Sequence, residues 1–164
     1  MKDFFKEFFK KESSSIVQFI KYAICGGIAT FVNIVIFFLL AATIIPALTE
    51  SDIIVKLLHL PPAELSDQLR ARNFAIDNII AFIFSNLTAY ILNILWVFKR
   101  GRHAWIIEFA MFFAVSGLAI LVGTSLGVLL IKVLGMHTSL AFVANMLTSL
   151  ALNFVLRKFV IFKG

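Results

Sequence analysis

Four stretches of this chain, Tyr22 to Ile45, Phe74 to Phe98, Ala104 to Leu134 and Leu140 to Phe162, are apolar over the roughly 20 residues that a helix needs to cross a bilayer. Lipid offers no partner to a backbone N–H or C=O, so a crossing segment must bond its own backbone, and a helix does so. The rest of the composition agrees. Hydrophobic residues make up 61% of the 164, 19 of them Phe, and the mean hydropathy is +0.99, where a soluble domain is close to half apolar. The predicted fold class is an all-α membrane protein of four transmembrane helices in two tandem helical hairpins. The spans fall at about 22–45, 74–98, 104–134 and 138–162, with an outer loop over 46–73.

Residues 1–18 form a basic arm in which Phe4, Phe5, Phe8 and Phe9 recur at helical spacing opposite Lys2, Lys6, Asp3 and Glu7. That pattern predicts an amphipathic helix lying in the membrane interface, hinged at Ser13 to Ser15. The apolar run behind it is about twice the ~7 to 15 residues of a signal-peptide core, so the first span is read as retained. Cys25 is the only cysteine and reads as a small packing residue, which leaves no intramolecular disulfide.

Lysine and arginine set the orientation. Eleven of them (Lys2, Lys6, Lys10, Lys11, Lys21, Lys99, Arg100, Arg102, Arg157, Lys158 and Lys163) fall on one side and four (Lys56, Arg70, Arg72 and Lys132) on the other. The positive-inside bias places both termini and the middle turn in the cytoplasm, in the cell membrane. The net charge of +6 and pI of 9.7 therefore describe helix flanks. No basic stripe or recognition motif accompanies them, so nucleic acid is not an expected partner.

Pro46 closes the first span, and Pro61 and Pro62 break the outer loop, where Ile53, Ile54, Leu57, Leu58 and Leu60 suggest a second interfacial piece. From Ala63 onward no breaker interrupts the chain, so span two is expected to start well outside the membrane as one long helix. The short links KRGRH and GMHT force tight antiparallel hairpins. The chain also resembles itself. A shift of 90 lays Phe19, Tyr22, Gly27 and Ala29 over Phe109, Phe112, Gly117 and Ala119, and a shift of 64 lays Tyr90, Phe98 and Lys99 over Phe154, Phe162 and Lys163. Two hairpins of one orientation make a parallel repeat, as in some transporters.

Polar residues in a bilayer are costly and face the protein interior, so their spacing marks a candidate site. Asn145, Ser149, Asn153 and Arg157 repeat every four residues along span four. Span two carries Asn86, Tyr90 and Asn93 above Trp96 and Lys99, and span one adds Asn33. One reading is a polar seam for substrate. The other is helix-to-helix hydrogen bonding, worth about 0.6 to 2 kcal/mol per amide. At the cytoplasmic end Arg157 and Lys158, with Lys99, Arg100 and Arg102 beside them, suit a lipid phosphate, which a guanidinium holds bidentately. The same residues also suit snorkelling anchors or ordinary anionic lipid.

Asp77, about one turn inside span two, is expected to be solvated or hydrogen-bonded to a neighbour, with proton coupling the minor reading. Gly26, Gly27, Ser116 and Gly117, with Gly123 and Gly127 in GxxxG spacing, are expected at close helix contacts. His59, His103 and His137 are scattered, and no catalytic set, paired carboxylates or phosphate loop is recognisable. A non-enzymatic protein without cofactor or metal is the expectation.

The opening F19-I-K-Y22-A-I-C-G26-G27-I-A-T-F-V-N33, the span-two ending Y90-I-L-N93-I-L-W96-V-F98 and the span-four ending N153-F154-V-L-R157-K158-F159-V-I-F162 together resemble the GtrA family of small four-helix membrane proteins, over nearly all of Phe19 to Phe162. Ala89 stands where that family's pattern has an asparagine, Ile94 and Leu95 where it has a basic pair, and Arg157 where a second asparagine is expected. The resemblance implies transfer of a polyprenyl-phosphate-linked monosaccharide to the outer leaflet for cell-envelope polysaccharide glycosylation. It also implies a membrane glycosyltransferase as partner. The small size of one chain adds a homo-oligomer to that expectation. The alternative is a non-transporting partner that recruits or stabilises the transferase. A four-helix drug exporter is disfavoured, because Tyr22 to Ile45 holds no acid.

Overall fold

The computed structural model describes Phe8, residues 14–97 and residues 105–156. Its helices are α1 (Ser15–Ala42), α2 (Ile53–Leu58), α3 (Asp67–Leu92), α4 (Trp105–Leu134) and α5 (Thr138–Leu156), and α3 runs on through a π-helical turn, Asn93–Val97. Three stretches, Ile16–Ala42, Asp67–Val97 and Phe112–Leu134, are long and apolar enough to cross a membrane. The chain is therefore a multi-pass helical membrane protein. The expected fourth span continues to Phe162, outside the described residues. So does the expected interfacial arm, apart from Phe8.

α3 is the centre of the bundle: α1 packs along one side of it and α4 along another, and α5 packs along α4. The long α3 expected from the unbroken sequence is present. It starts at Asp67, with Ser66 Oγ accepting from Leu69 N at 3.3 Å and an acid in the first turn, both suited to the positive helix start. α1 stops at Ala42, three residues short of the expected Ile45. There the N–H groups of Thr43, Ile44 and Ile45 all turn to Leu40 O (3.2, 3.1 and 3.0 Å), because Pro46 bars its predecessor from helical geometry. The tight link between α4 and α5 is made by Gly135, at φ +60, whose N–H bonds Ile131 O at 3.0 Å.

The helices meet in an aromatic cluster near the long loop. Phe37 of α1 stacks on Phe142 of α5 at 4.1 Å between centroids and meets Phe74 of α3 edge-on at 5.6 Å. Against lipid, such packing rather than water exclusion holds helices together. Gly127 lets Phe74 into this cluster: a Cβ there would stand 2.5 Å from Phe74 Cζ.

The loop over 43–66 is clamped to the bundle. Asp52, fully buried, accepts from Ser139 N (2.8 Å) and Oγ (3.0 Å) through Oδ1, and from Thr49 N (2.9 Å) and Oγ1 (3.1 Å) through Oδ2. It thus caps α5 from a distant segment. Thr138 Oγ1 donates to Ala47 O, and Asn73 Nδ2 donates to Pro46 O at 2.6 Å. α2 buries Val55 and leaves Ile53, Leu57 and Leu58 exposed.

Candidate functional site

Between α1, α3, α4 and α5 lies a cavity of about 190 Å³. A single water needs only ~10–15 Å³ of such space. Its polar lining comes from all four helices: Thr30 and Asn33 of α1, Ser85 and Asn86 of α3, Ser116 of α4, and Asn145 and Ser149 of α5. Ala29, Phe82, Ala89, Ile120 and Met146 complete the wall, and no charged side chain contributes to it. The position follows from the polar spacing. Asn145 and Ser149 are four residues apart and share one face of α5, while Asn33 and Ser85 meet across the α1–α3 hairpin at 3.4 Å.

Several polar atoms of the wall are already engaged. Asn145 Nδ2 donates to Asn78 Oδ1, Asn145 Oδ1 accepts from Ser149 Oγ at 3.3 Å, and that hydroxyl also reaches Ala119 O at 3.2 Å. Asn86 differs. It is buried, and its Nδ2 has no partner among the described residues. An amide donor in that condition, on the wall of a cavity, is ready for an acceptor from a ligand.

Of the residues singled out in the sequence, Asn33, Asn86, Asn145 and Ser149 therefore come together. Tyr90 does not line the cavity. Its ring packs edge-on against Phe109 of α4 at 5.0 Å and beside Phe112 at 5.7 Å. Asn93 opens the π turn, donates to Ala89 O at 2.8 Å and buries an Oδ1 with no partner among the described residues. Asn153 lies on α5, with its side chain outside the described part, and Arg157, Lys158, Lys99 and Arg100 lie outside the described residues altogether.

Thr30, Ser85 and Ser116 were missed as lining residues. Small hydroxyls give little signal in apolar helices because they bond their own helix, as Ser85 Oγ does to Phe82 O at 3.3 Å. By sequence Ser116 reads as a packing residue; its place on the same cavity wall as Asn33 and Ser149 is visible only in three dimensions.

One expectation about a charged residue is corrected. Asp77 is neither solvated nor hydrogen-bonded: it is 0% exposed, and neither carboxyl oxygen has a partner among the described residues. The inward stripe of α3 (Phe74, Asn78 and Ala81) carries it into the bundle. Lys21, in the second turn of α1, is fully buried, with Nζ 6.0 Å from the Phe8 ring centroid. Phe8 in turn meets Trp96 edge-on at 5.0 Å, and Trp96 Nε1 donates to Phe8 O at 3.0 Å. The glycines also divide. Gly123 and Gly127 are close contacts, whereas Gly26, Gly27 and Gly117 have nothing within 4 Å of an added Cβ.

Among the described residues, no group of three or more His, Cys, Asp or Glu is placed to hold a metal ion. Fold and cavity together define a polytopic helical membrane protein with a polar cavity whose lining carries no charged side chain. The family model described as GtrA/DPMS, transmembrane domain, matches residues 65–162, more than half of the chain, and the chain belongs to that family. No curated protein and no solved structure matches it.

Proposed function

We propose that this protein moves a polyprenyl-phosphate-linked monosaccharide across the cytoplasmic membrane, to supply cell-envelope polysaccharide glycosylation. The observation that carries the proposal is the cavity of about 190 Å³, walled by amides and hydroxyls from four helices. Sugar hydroxyls both donate and accept, and asparagine and serine side chains can answer in either sense. The polyprenyl chain stays in lipid, so only the head group needs this path.

In this reading α5 and its continuation form the fourth crossing, and both termini face the cytoplasm. The phosphate is held at that side by Arg157 and Lys158 with Lys99 and Arg100, and the sugar passes by Asn33, Asn86, Asn145 and Ser149, with Tyr90, Asn93 and Asn153 on the way. The protein acts as a homo-oligomer and beside a membrane glycosyltransferase.

The test is leaflet exchange of a polyprenyl-phosphate sugar in proteoliposomes. Exchange well above protein-free vesicles is expected, with a deeper loss in Arg157→Ala/Lys158→Ala than in Lys2→Ala/Lys6→Ala. Exchange equal to protein-free vesicles, with binding to the glycosyltransferase intact, overturns translocation and leaves the recruiting role. Equal losses in the two double variants reduce the basic cluster to a topology signal.

A further inference from the structure

Asp77 stands apart from the cavity and has no role in the function proposed above. It lies ten residues into α3, roughly 15 Å along the axis from Asp67, and eight residues, or roughly 12 Å, short of Ser85 at the cavity. Two contacts fix the register of α1 on α3: Asn33 to Ser85 and, at the loop end, Pro46 O to Asn73. Along the axis Asp77 falls between them, level with the last apolar turns of α1, where Phe37, Leu40 and Ala41 are buried.

Among the described residues no countercharge faces it. The one Lys of α1, Lys21, is at the opposite end of that helix; α5 has no charged residue in its described length. On α4, Glu108 is near the far end and Lys132 is exposed five residues past Gly127, on the side of Phe74 away from Asp77. On α3 itself Arg70 shares the buried stripe, but its guanidinium is held by Asp67 at 2.7 Å and by Thr49 at 3.5 Å, while Arg72 is exposed. Asp52 is engaged by Thr49 and Ser139; Lys56 is on α2, and Glu50, His59, Glu64 and His137 belong to the segments that join the helices.

An ionised carboxylate in such a place keeps neither water nor a cation, whereas the neutral acid loses far less on burial. We propose that Asp77 is a proton-binding site: it holds a proton while the loop end of the bundle is closed, and gives it to water when α1 and α3 separate there. The carboxylate so formed is then hydrated, which favours the open form. Proton binding therefore biases an opening between the cavity and the loop end. Only the further consequence, that transport responds to pH, rests on the translocation reading.

The experiment uses the full chain in lipid nanodiscs and needs no transport. Infrared spectra at neutral pH are expected to contain a protonated-carboxyl band that is absent in Asp77→Asn, retained in Asp67→Asn, and moved in Asp77→Glu. Asparagine is close in shape to the neutral acid, so Asp77→Asn is expected to fold and to stay closed. Amide hydrogen exchange over 36–47 and 67–81 is then compared between wild type and Asp77→Asn at each pH. The wild-type to variant ratio is expected to rise several-fold from acidic to alkaline pH, along with loss of the band. Identical carboxyl spectra in wild type and Asp77→Asn overturn the proposal, and so does an exchange ratio that does not change with pH. Neither result bears on leaflet exchange, so the functional reading stands or falls separately.

Discussion

Asn145 of α5 donates its side-chain amide to Oδ1 of Asn78 on α3, and both side chains are essentially inaccessible. This bond joins the two hairpins through the centre of the bundle, because α3 belongs to the first and α5 to the second. Asn78 keeps its own Nδ2 on Phe74 O at 2.8 Å, so its carbonyl is left free for Asn145. Replacing Asn78 by Ala is expected to destabilise the fold by about 1 kcal/mol, the scale of interhelical hydrogen bonds in membranes. A double-mutant cycle with Asn145→Ala in a detergent or denaturant titration reads the coupling; additive losses would show that the pair does not act as one unit.

Glycine substitutions should sort by position rather than by motif. At Gly123 a Cβ would stand 2.6 Å from Ser149 Oγ and 2.8 Å from the Asn145 backbone oxygen, and a backbone atom cannot rotate away. Gly123→Ala is therefore expected to cost about 1–3 kcal/mol, by forcing α4 and α5 apart. Gly117→Ala and Gly26→Ala meet open space and gain helix propensity, so they are expected to be neutral or slightly stabilising. Thermal stability of the three variants in one detergent is the measurement. Equal losses at all three positions would mean that the contact at Gly123 is not what matters.

How much of this was legible beforehand depends on the kind of interaction. Lipid leaves the backbone few choices, so the long helix from Asp67 and the tight turn at Gly135 follow from apolar length and breakers alone. The internal repeat also has a counterpart in the packing. Its offsets of 90 and 64 carry Asn33 onto Gly123 and Ser85 onto Ser149, and Asn33 meets Ser85 in the first hairpin as Gly123 meets Ser149 in the second. By contrast, the partner of a polar side chain was not legible. Four-residue spacing gave the face of Asn145 and Ser149 but not Asn78 across from it. For Asp77, closeness to a helix end does not mean closeness to water, because the packed bundle leaves its side chain fully buried. Nothing in the spacing of Asp52 and Ser139, 87 residues apart, announces a cap.

That cap should be measurable. Asp52 satisfies a backbone N–H at the start of α5 and another at Thr49, both from inside a buried site. Asp52→Ala leaves these donors without an acceptor, and a loss of about 2 kcal/mol is expected, with Asp52→Asn losing less because one oxygen remains. The change should be local. Proteolysis or hydrogen exchange over 46–66 and the first turn of α5 should increase, while the rest of α3 keeps its protection. Uniform loss of protection along α3 would show instead that the loop is part of the bundle's cooperative core.

Asn86 gives the sharpest separation between a polar group kept for substrate and one kept for packing. Its buried Nδ2 has no partner among the described residues, so it contributes no hydrogen bond to the packing of the helices. Asn86→Leu removes that donor at similar size. The expected result is unchanged or slightly higher thermal stability together with about a tenfold loss in affinity for a polyprenyl-phosphate sugar, equivalent to ~1.4 kcal/mol. Asn145→Leu breaks an existing bond and should lower stability as well as binding. If Asn86→Leu destabilises the fold as Asn145→Leu does and leaves binding intact, Asn86 is a packing amide and the cavity is not the sugar path.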